Sequence, residues 1–572
     1  MLGFGNHAIL ATPLGDTYMS TDRNGHIDAA RRNLSERENH VIDEFRNGGL
    51  SRRDFIRAAS VVGISLPFAG LVAGTGSAEA VAKKTTAKRK PLLRVSTIAP
   101  GSKIDPVIAN NGGALLLLGL AGEYLAFSNN QVALEPRVAE SWKANADSTL
   151  WTFKIRKGLT FHNGKKLTAA DVVATFDRLA DPANKSNALS VFKGLLDKGN
   201  TKKVDDYTVT FQLNSPVGAF PYLVSSDNYN SIILPADYAA GSWEKSFIGS
   251  GPWIMEKYVV DQGVTFKRNP NYYDKARQPN FDKLQVTQLK DDSARLAGLQ
   301  SGQFDWDAFS SSTTAKTLQN DSNFTVSATP SVGHLQVHMR CDTGPLADKR
   351  IRQAIALSMD RPGIINGVID GFGVVGNDSP MAPAYPTTDK TVAQRKKDLA
   401  KAKSLLAEAG KDKGLEVTLS TWDRADLKLL AQVVQAAAKE IGVDVKLNVT
   451  DAGAYYDDTK SPSWLKSDFG ITEYGHRGVP NVYLTSSLAS TGTWNAAHYS
   501  SAAFDAAKKT FIESADLTTQ KAASKKIQEI LLEDTPIVFA FFGNTLDVSK
   551  KGLTGNYTNG MNVLETTRAK MA

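Results

Sequence analysis

Alternating and helical spacings of apolar residues follow one another in two stretches of the chain, and each combination predicts a strand–helix–strand unit. In the clearer one, apolar residues alternate over 415–419, recur at helical spacing over 430–441 and alternate again over 443–449. Such a unit is typical of two parallel strands joined by a crossover helix. The other unit occupies residues 284–306. Because one unit precedes residue 330 and the other follows it, the pattern predicts two α/β lobes.

Alternation without an intervening helix predicts a different kind of sheet within the first lobe. Residues 151–155 (WTFKI) alternate, and so do the apolar residues over 207–213. This pattern is typical of antiparallel strands with one buried face. We predict that this material forms an extra subdomain, about residues 121–235, inserted in the first lobe.

Residues 50–80 have the three parts of an export signal: the adjacent arginines Arg52 and Arg53, an uncharged apolar stretch, and a small-residue end at Ala80. Residues 51–57 (SRRDFIR) resemble the twin-arginine signal. We therefore predict a leader and twin-arginine signal peptide over 1–80, followed by a basic linker over 81–90. The alternatives are a surface amphipathic helix with a chance Arg-Arg pair and, with less support from its hydropathy, a membrane anchor.

Composition excludes several classes of protein. With 572 residues, the chain is too long for a single core. Its one cysteine, Cys341, excludes an intramolecular disulfide and any multi-cysteine metal site. The formal net charge of +8 is spread along the chain, and only residues 83–90 are densely basic, so no nucleic-acid partner is expected.

No local sequence motif indicates a catalytic site or a cofactor-binding site. Residues 371–376 fit the G-x-G-x-x-G spacing of dinucleotide-binding loops, but a helical pattern precedes them and Pro380 follows, so we interpret them as a loop. His334 and His338 lie four apart in a predicted strand, with no carboxylate pattern to complete a metal site. The sequence contains neither a P-loop nor a nucleophile elbow. We expect neither an enzyme nor a bound cofactor or metal.

Several longer motifs together resemble one protein family. They occur in the family's order between about residues 92 and 555, and they are PRVAESW at 136–142, WTFKIRKGLTFHNG at 151–164, GSGPW at 249–253, KRNPNYY at 267–273, RIRQAI at 350–355 and AKSLLAEAG at 402–410. The chain therefore resembles the family 5 solute-binding proteins of ABC importers for dipeptides, oligopeptides and nickel.

This resemblance implies a type II periplasmic-binding-protein fold (cluster C), in which two α/β lobes close on a peptide or peptide-like solute. The first lobe is expected over 91–330 and again over 536–572, and the second over 331–535, with hinges near 330–338 and 536–544. The resemblance also implies a monomeric periplasmic receptor. Its expected partners are an ABC permease and ATPase complex in the inner membrane and, during export, the twin-arginine translocase.

The resemblance further locates a ligand-binding loop. In peptide-binding members, an aspartate in this loop holds the α-amino group of the ligand. Here Gly475 and Pro480 match the family's glycine and proline, which puts His476 at the aspartate's position and Arg477 beside it. We expect this basic pair to bind an anion, so that an acidic or amine-blocked solute is favoured and binds more tightly as the pH falls through the histidine range. The other residues expected at the pocket are Tyr474, Trp422, Trp494 and Asn495.

Other interpretations stay open on the sequence alone. His476 and Arg477 can be exposed loop residues, and each pocket aromatic can equally belong to the core. A nickel or haem carrier of the same family has the support of one pocket histidine. A secreted hydrolase would turn over a peptide, and a chaperone-like peptide holder would show little preference among peptides.

Overall fold

The computed structural model describes residues 27, 31–32, 34–64, 69, 72–73, 90–99, 104–109, 112–239, 241–243, 247–260, 262–457, 459 and 463–572. Contacts divide the chain into two compact units, Met1–Thr85 and Thr86–Ala572. The predicted cleavage site after Ala80 and all but the last residue of the predicted linker lie outside the described residues. Among the helices that are described, none is both long and apolar enough to cross a membrane.

Two helices, numbered like all elements in chain order, are described in the first unit: α1 (Glu36–Arg46) and α2 (Arg52–Val62). The Ser51 hydroxyl accepts a hydrogen bond from the Asp54 backbone N–H and caps α2, and Gly63, with φ of 94°, ends it. The predicted twin-arginine motif is therefore the cap and first turns of a helix. Arg52 and Arg53 are exposed there.

The second unit contains a seven-stranded sheet. Its strands are β1 (Lys90–Thr97), β8 (Trp253–Val259), β9 (Gly263–Arg268), β10 (Phe281–Gln288), β11 (Trp306–Ala308), β12 (Phe324–Thr329) and β20 (Thr545–Lys550), and their order in the sheet is β12-β20-β11-β1-β10-β9-β8. Strand β1 pairs in parallel with both β10 and β11, so the predicted crossover unit at 284–306 is confirmed, with β1 lying between its two strands. Helices α7 (Asp292–Gln300) and α8 (Ser312–Leu318) follow β10 and β11.

A five-stranded sheet consists of β13 (His334–Met339), β15 (Leu415–Trp422), β16 (Val443–Thr450), β17 (Phe469–Tyr474) and β18 (Ile537–Phe539), in the order β16-β15-β17-β13-β18. The parallel pairing of β15 with β16 confirms the predicted crossover at 415–449. Buried residues of the sheet, such as Val337 and Leu419, belong to one apolar core with helix residues such as Leu430. The helices of this region are α9 (Lys349–Ser358), α10 (Arg361–Ile369), α11 (Leu399–Glu408), α12 (Ala425–Lys439), α13 (Ala452–Tyr455), α14 (Ala502–Glu513) and α15 (Leu517–Asp534).

The predicted antiparallel material forms a separate four-stranded sheet of order β4-β5-β7-β6. Trp151, Phe153 and Ile155 are buried on one face of it, as their alternation predicts. Its elements are β4 (Ala139–Ala144), β5 (Leu150–Ile155), α4 (Ala169–Ala180), α5 (Leu189–Phe192), β6 (Thr201–Asp205), β7 (Thr208–Gln212) and α6 (Phe220–Leu223). We refer to residues 121–235 as the inserted segment.

Short elements complete the described chain, and one of them corrects a prediction. Residues 371–376 are not simply a loop, because Gly373–Val375 is a strand paired with Phe541–Gly543. A Cβ atom at Gly376 would lie 2.2 Å from the Phe539 carbonyl oxygen, so this spacing of glycines serves close backbone packing. The short elements are α3 (Gly112–Ala121), β2 (Ala126–Ser128), β3 (Leu134–Pro136), β14 (Gly373–Val375), β19 (Phe541–Gly543), β21 (Leu553–Thr554), β22 (Tyr557–Thr558), β23 (Leu564–Glu565) and β24 (Lys570–Met571). They also include the 3-10 helices Pro182–Asn184, Lys275–Arg277 and Pro345–Ala347 and the π-helical turn Tyr483–Ser487.

The chain passes between the seven-stranded and five-stranded sheets twice. It leaves the first sheet after β12 and enters the second at β13, and it returns between β18 and β20. Both passages overlap the predicted hinge segments 330–338 and 536–544. The loop that follows β17, residues 475–481, starts beside the first passage because Tyr474 pairs with His334.

Candidate functional site

Tyr474 and Trp494 belong to an aromatic cluster at the end of β17. The Tyr474 ring stacks on the His334 imidazole at 5.4 Å and 11°, and its hydroxyl donates to the Trp494 carbonyl oxygen at 3.4 Å. Tyr474 is 8% exposed, whereas Trp494 is half-buried. Burial in this cluster lowers the pKa of His334 to about 3, so its ring stays neutral. Tyr474 therefore belongs to the buried aromatic cluster on which the loop at 475–481 begins.

His476 is held between two segments of the chain. Its Nδ1 accepts a hydrogen bond from the Val332 backbone N–H at 3.1 Å and lies 3.2 Å from the Ser331 hydroxyl. A Cβ atom at Gly560 would come within 2.3 Å of the same nitrogen, so the C-terminal segment packs directly on the ring. A ring nitrogen that accepts from an amide is unprotonated, so this geometry favours the neutral imidazole. The expected basic pair is thereby reduced to one cation, Arg477.

Arg477 is half-buried, and its guanidinium is only partly satisfied. Its Nη1 donates to the His476 carbonyl oxygen at 2.8 Å. The backbone carbonyl oxygen of Arg477 accepts a hydrogen bond from the Tyr385 hydroxyl at 2.7 Å. The Nε of Arg477 has no hydrogen-bond partner among the described residues. Gly475 is exposed, and its carbonyl oxygen accepts from the Tyr483 hydroxyl. The loop therefore contains a guanidinium group whose N–H donors are not all hydrogen-bonded within the described residues.

Asp227 of the inserted segment faces this cation, and sequence reasoning missed it. It is 6% exposed, and neither of its oxygens has a well-formed hydrogen bond within the described parts of the chain. Burial raises its pKa to about 7, although the nearby Ser128 hydroxyl and the Arg477 charge act in the opposite direction. Asp227 precedes Arg477 by 250 residues, and no motif surrounds it, so no sequence signal connected them.

Gly478 makes the approach of the inserted segment to the loop possible. A Cβ atom there would lie 1.7 Å from Asp227 Oδ2 and 2.4 Å from Tyr222 Cδ1. A small void of about 10 Å³ remains beside Asp227 and Arg477, enough for one water-sized group. The two sides of the site are therefore in direct contact in this structure.

Trp422 and Asn495 stand apart from this contact. Trp422 Nε1 donates to Glu473 Oε2 at 3.0 Å, and Tyr456 donates to the same oxygen at 2.7 Å. These bonds occupy Glu473, which could otherwise have replaced the missing loop aspartate. The Asn495 amide donates to two backbone carbonyl oxygens and accepts from the Tyr499 N–H at 3.0 Å. The structure thus gives Asn495 a role in holding its own loop.

A cleft of about 330 Å³ opens between residues 189–195 of the inserted segment and residues 481–493 after the loop. This volume is at the lower end of the range for small-molecule sites. Three of its wall residues, Val191, Leu223 and Val482, also line the small void beside Asp227. Its polar lining consists mainly of hydroxyl and amide side chains, with one cation: Ser190, Lys193, Ser215, Asn481, Thr485, Ser486, Thr491 and Thr493. Among the described residues, no group of three His, Cys, Asp or Glu side chains is arranged to hold a metal ion.

Comparisons with known proteins identify the architecture. Residues 133–495 match the family model described as "Bacterial extracellular solute-binding proteins, family 5 Middle". The glutathione-binding protein GsiB of Pectobacterium atrosepticum is 24% identical over 85% of this chain and 95% of its own. Di/tripeptide-binding protein 3 of Pseudomonas aeruginosa is 28% identical over 70% of this chain and 80% of its own.

Solved structures show the same fold. The periplasmic binding protein DppA from Helicobacter pylori, in complex with the peptide STSA, superposes with a TM-score of 0.70 at 23% identity. The match covers 84% of this chain and 98% of that one. The expected type II periplasmic-binding-protein fold, with two α/β lobes and an inserted subdomain, is confirmed.

Proposed function

Because the chain belongs to the bacterial extracellular solute-binding proteins of family 5, we propose that it captures a peptide or peptide-like solute between its two lobes. It then delivers the solute to an ABC permease and its ATPase. The family match over residues 133–495 is the observation that carries this proposal. Relatives named for glutathione and for di- and tripeptides support the solute class.

The lobes of this proposal correspond to the two larger sheets. The first comprises residues 91–330 and 536–572, and the second residues 331–535. Two chain passages at 330–338 and 536–544 support a hinge, since two short connections leave the lobes free to rotate about one axis. Closure would bring the inserted segment against the loop at 475–481, as in this structure.

Arg477 is the group to which we assign recognition of a solute carboxylate. It is the cation that the loop presents, and a guanidinium group can make two-point hydrogen bonds with a carboxylate. Its Nε is buried in this structure and has no hydrogen-bond partner among the described residues. The neighbouring cleft, lined mainly by hydroxyl and amide groups together with Lys193, would take the remainder of the solute. We therefore favour a small, carboxylated, peptide-like compound.

Export through the twin-arginine pathway is part of the proposal. The motif at residues 51–57 begins helix α2, where Arg52 and Arg53 are exposed and available to a receptor. Loss of residues 1–80 would leave a mature periplasmic protein.

Calorimetry with two matched dipeptides tests the role of Arg477. L-Alanyl-L-glutamate and L-alanyl-L-glutamine differ in one side-chain carboxylate. A charge-assisted hydrogen bond contributes about 1.5–3 kcal/mol, so Arg477→Ala should weaken binding of the glutamate dipeptide about 10- to 100-fold more than that of the glutamine dipeptide. Arg350→Ala, which removes a half-buried arginine paired with Asp348, is the control and should change neither. Equal loss for both dipeptides would show that Arg477 does not recognise this carboxylate.

A further inference from the structure

Asp227 is buried at the contact between the inserted segment and the loop at 475–481. Its backbone N–H donates to the Ser225 hydroxyl at 3.1 Å, which fixes the turn that directs its side chain toward Gly478. The approach is so close that alanine at position 478 could not be accommodated without a shift. At this contact the carboxylate is therefore removed from water.

The surroundings compensate an ionised carboxylate only in part, through the Ser128 hydroxyl and the charge of Arg477. Arg477 is the cation that faces it, and the two side chains form no salt bridge within the described chain. The other ionisable groups close to this contact are Tyr222, Tyr385, Tyr483, His334 and His476. Burial raises the pKa of Tyr385 and Tyr483 far above neutrality, and it lowers that of His334 to about 3. His476 Nδ1 accepts an amide hydrogen and is neutral in this geometry.

We propose that Asp227 takes up a proton from solvent when the lobes close, so that capture of the solute strengthens as the pH falls from 8 to 5. This inference rests on the proposed function, because it requires lobes that open and close. In the open state the carboxylate is hydrated and ionised across this range. In the closed state it is buried, and protonation removes the charge that makes closure unfavourable.

The size of the effect follows from proton linkage. The closed-state pKa of Asp227 is about 7, against 3.8 for an unperturbed aspartate. At pH 8 the group is ionised in both states, whereas at pH 5 only the closed state binds the proton. A closed-state pKa near 7 lies two units above pH 5, so the equilibrium constant for closing is about 100-fold larger at pH 5 than at pH 8. A closed-state pKa nearer 6 would make it about 10-fold larger. We therefore expect binding to be about 10- to 100-fold tighter at pH 5 than at pH 8.

Calorimetry with reduced glutathione as the probe, from pH 5 to pH 8, tests this role with two variants. Asp227→Asn keeps the shape of the side chain and removes its titration, so its affinity should be nearly independent of pH. It should exceed that of the wild type by about 10- to 20-fold at pH 5, where the open wild-type carboxylate is still ionised, and by more at pH 8. Asp237→Asn makes the same change at an exposed carboxylate two residues beyond the inserted segment, paired with Lys165, and should keep the wild-type profile. A pH dependence that persists in Asp227→Asn would overturn the proposal and would point to His476 or the probe.

Titration of the Asp227 carboxyl by carbon-13 NMR separates this inference from the question of the solute. The Asp227→Asn spectrum assigns the signal, and the pKa is measured with and without glutathione. A pKa that rises from near 4 without glutathione to near 7 with it supports proton uptake on closure. A pKa that does not change when glutathione binds overturns it, whether it is near 4 or near 7. If glutathione binds at no pH, that result counts against the proposed solute class, and the same titration with the solute that the purified protein carries decides the role of Asp227.

Discussion

Replacing Gly478 by alanine would place one methyl group in the contact between the loop and the inserted segment. The added Cβ atom would lie 1.7 Å from Asp227 Oδ2 and 2.4 Å from Tyr222 Cδ1, where ordinary contacts are about 3.5 Å or longer. Gly478 is not among the glycines with positive φ, so alanine suits its backbone conformation. The substitution therefore acts through this contact and not through backbone strain.

The free-energy cost of this steric overlap can be estimated. Overpacking a well-packed contact costs about 1–3 kcal/mol, because neighbouring groups must move. The Tyr222 ring is constrained, since its hydroxyl donates to the Val132 carbonyl oxygen at 2.5 Å. If this energy destabilises only the closed state, the affinity of the protein for its solute falls by about 5- to 150-fold. The free energy of unfolding measured without solute changes little, because the open state relieves the overlap.

Solute affinity and urea-induced unfolding of Gly478→Ala should therefore be measured together. Gly367→Ala is a matched control, because a Cβ atom at Gly367, within helix α10, would meet no atom within 4 Å. The control should bind normally and be slightly stabilised, as alanine is the better helix former. Unchanged affinity in Gly478→Ala, or a loss of stability as large as the loss of binding free energy, would refute the assignment of this contact to the closed state.

Three further predictions address export, stability and motion. Replacing Arg52 and Arg53 together by lysine should prevent appearance of the mature protein in the periplasm, and a normal amount in cell fractions would contradict the twin-arginine route. His334 has a pKa near 3 when folded, so its contribution to stability is complete above about pH 6.5 and is lost as the pH falls. Urea unfolding at pH 7 and pH 5 should show a decrease about 2 kcal/mol larger for wild type than for His334→Phe, and equal decreases would contradict burial of the neutral ring. Small-angle scattering should show a smaller radius of gyration when a proven solute saturates the protein, and no compaction would remove the proposed hinge.

Local patterns predicted the sheets because each pattern reports a local constraint. The alternation at 415–419 and the helical spacing at 430–441 led directly to β15 and α12, since one face of each element must be buried. The antiparallel strands of the inserted segment were predicted for the same reason. Strand order was not predicted, because β1 pairs between β10 and β11 through contacts about 200 residues apart in sequence.

The candidate site was harder to predict, because it depends on contacts between distant segments. The motif identified the loop, but it could not show that Val332 and Gly560 hold His476 in a neutral form. It also could not show that Asp227 faces Arg477, since nothing around Asp227 distinguishes it from other turn residues. Burial and mutual orientation set the chemistry of both groups, and these are properties of the folded chain.

Native mass spectrometry of the mature protein, purified from the periplasm of its own host, tests the central claim most directly. We predict a complex of one chain with one small solute, released chemically unchanged on unfolding, and this solute should carry a carboxylate. A protein that carries no solute and binds none from a periplasmic extract would contradict the account, and so would one that releases cleaved products of an added peptide.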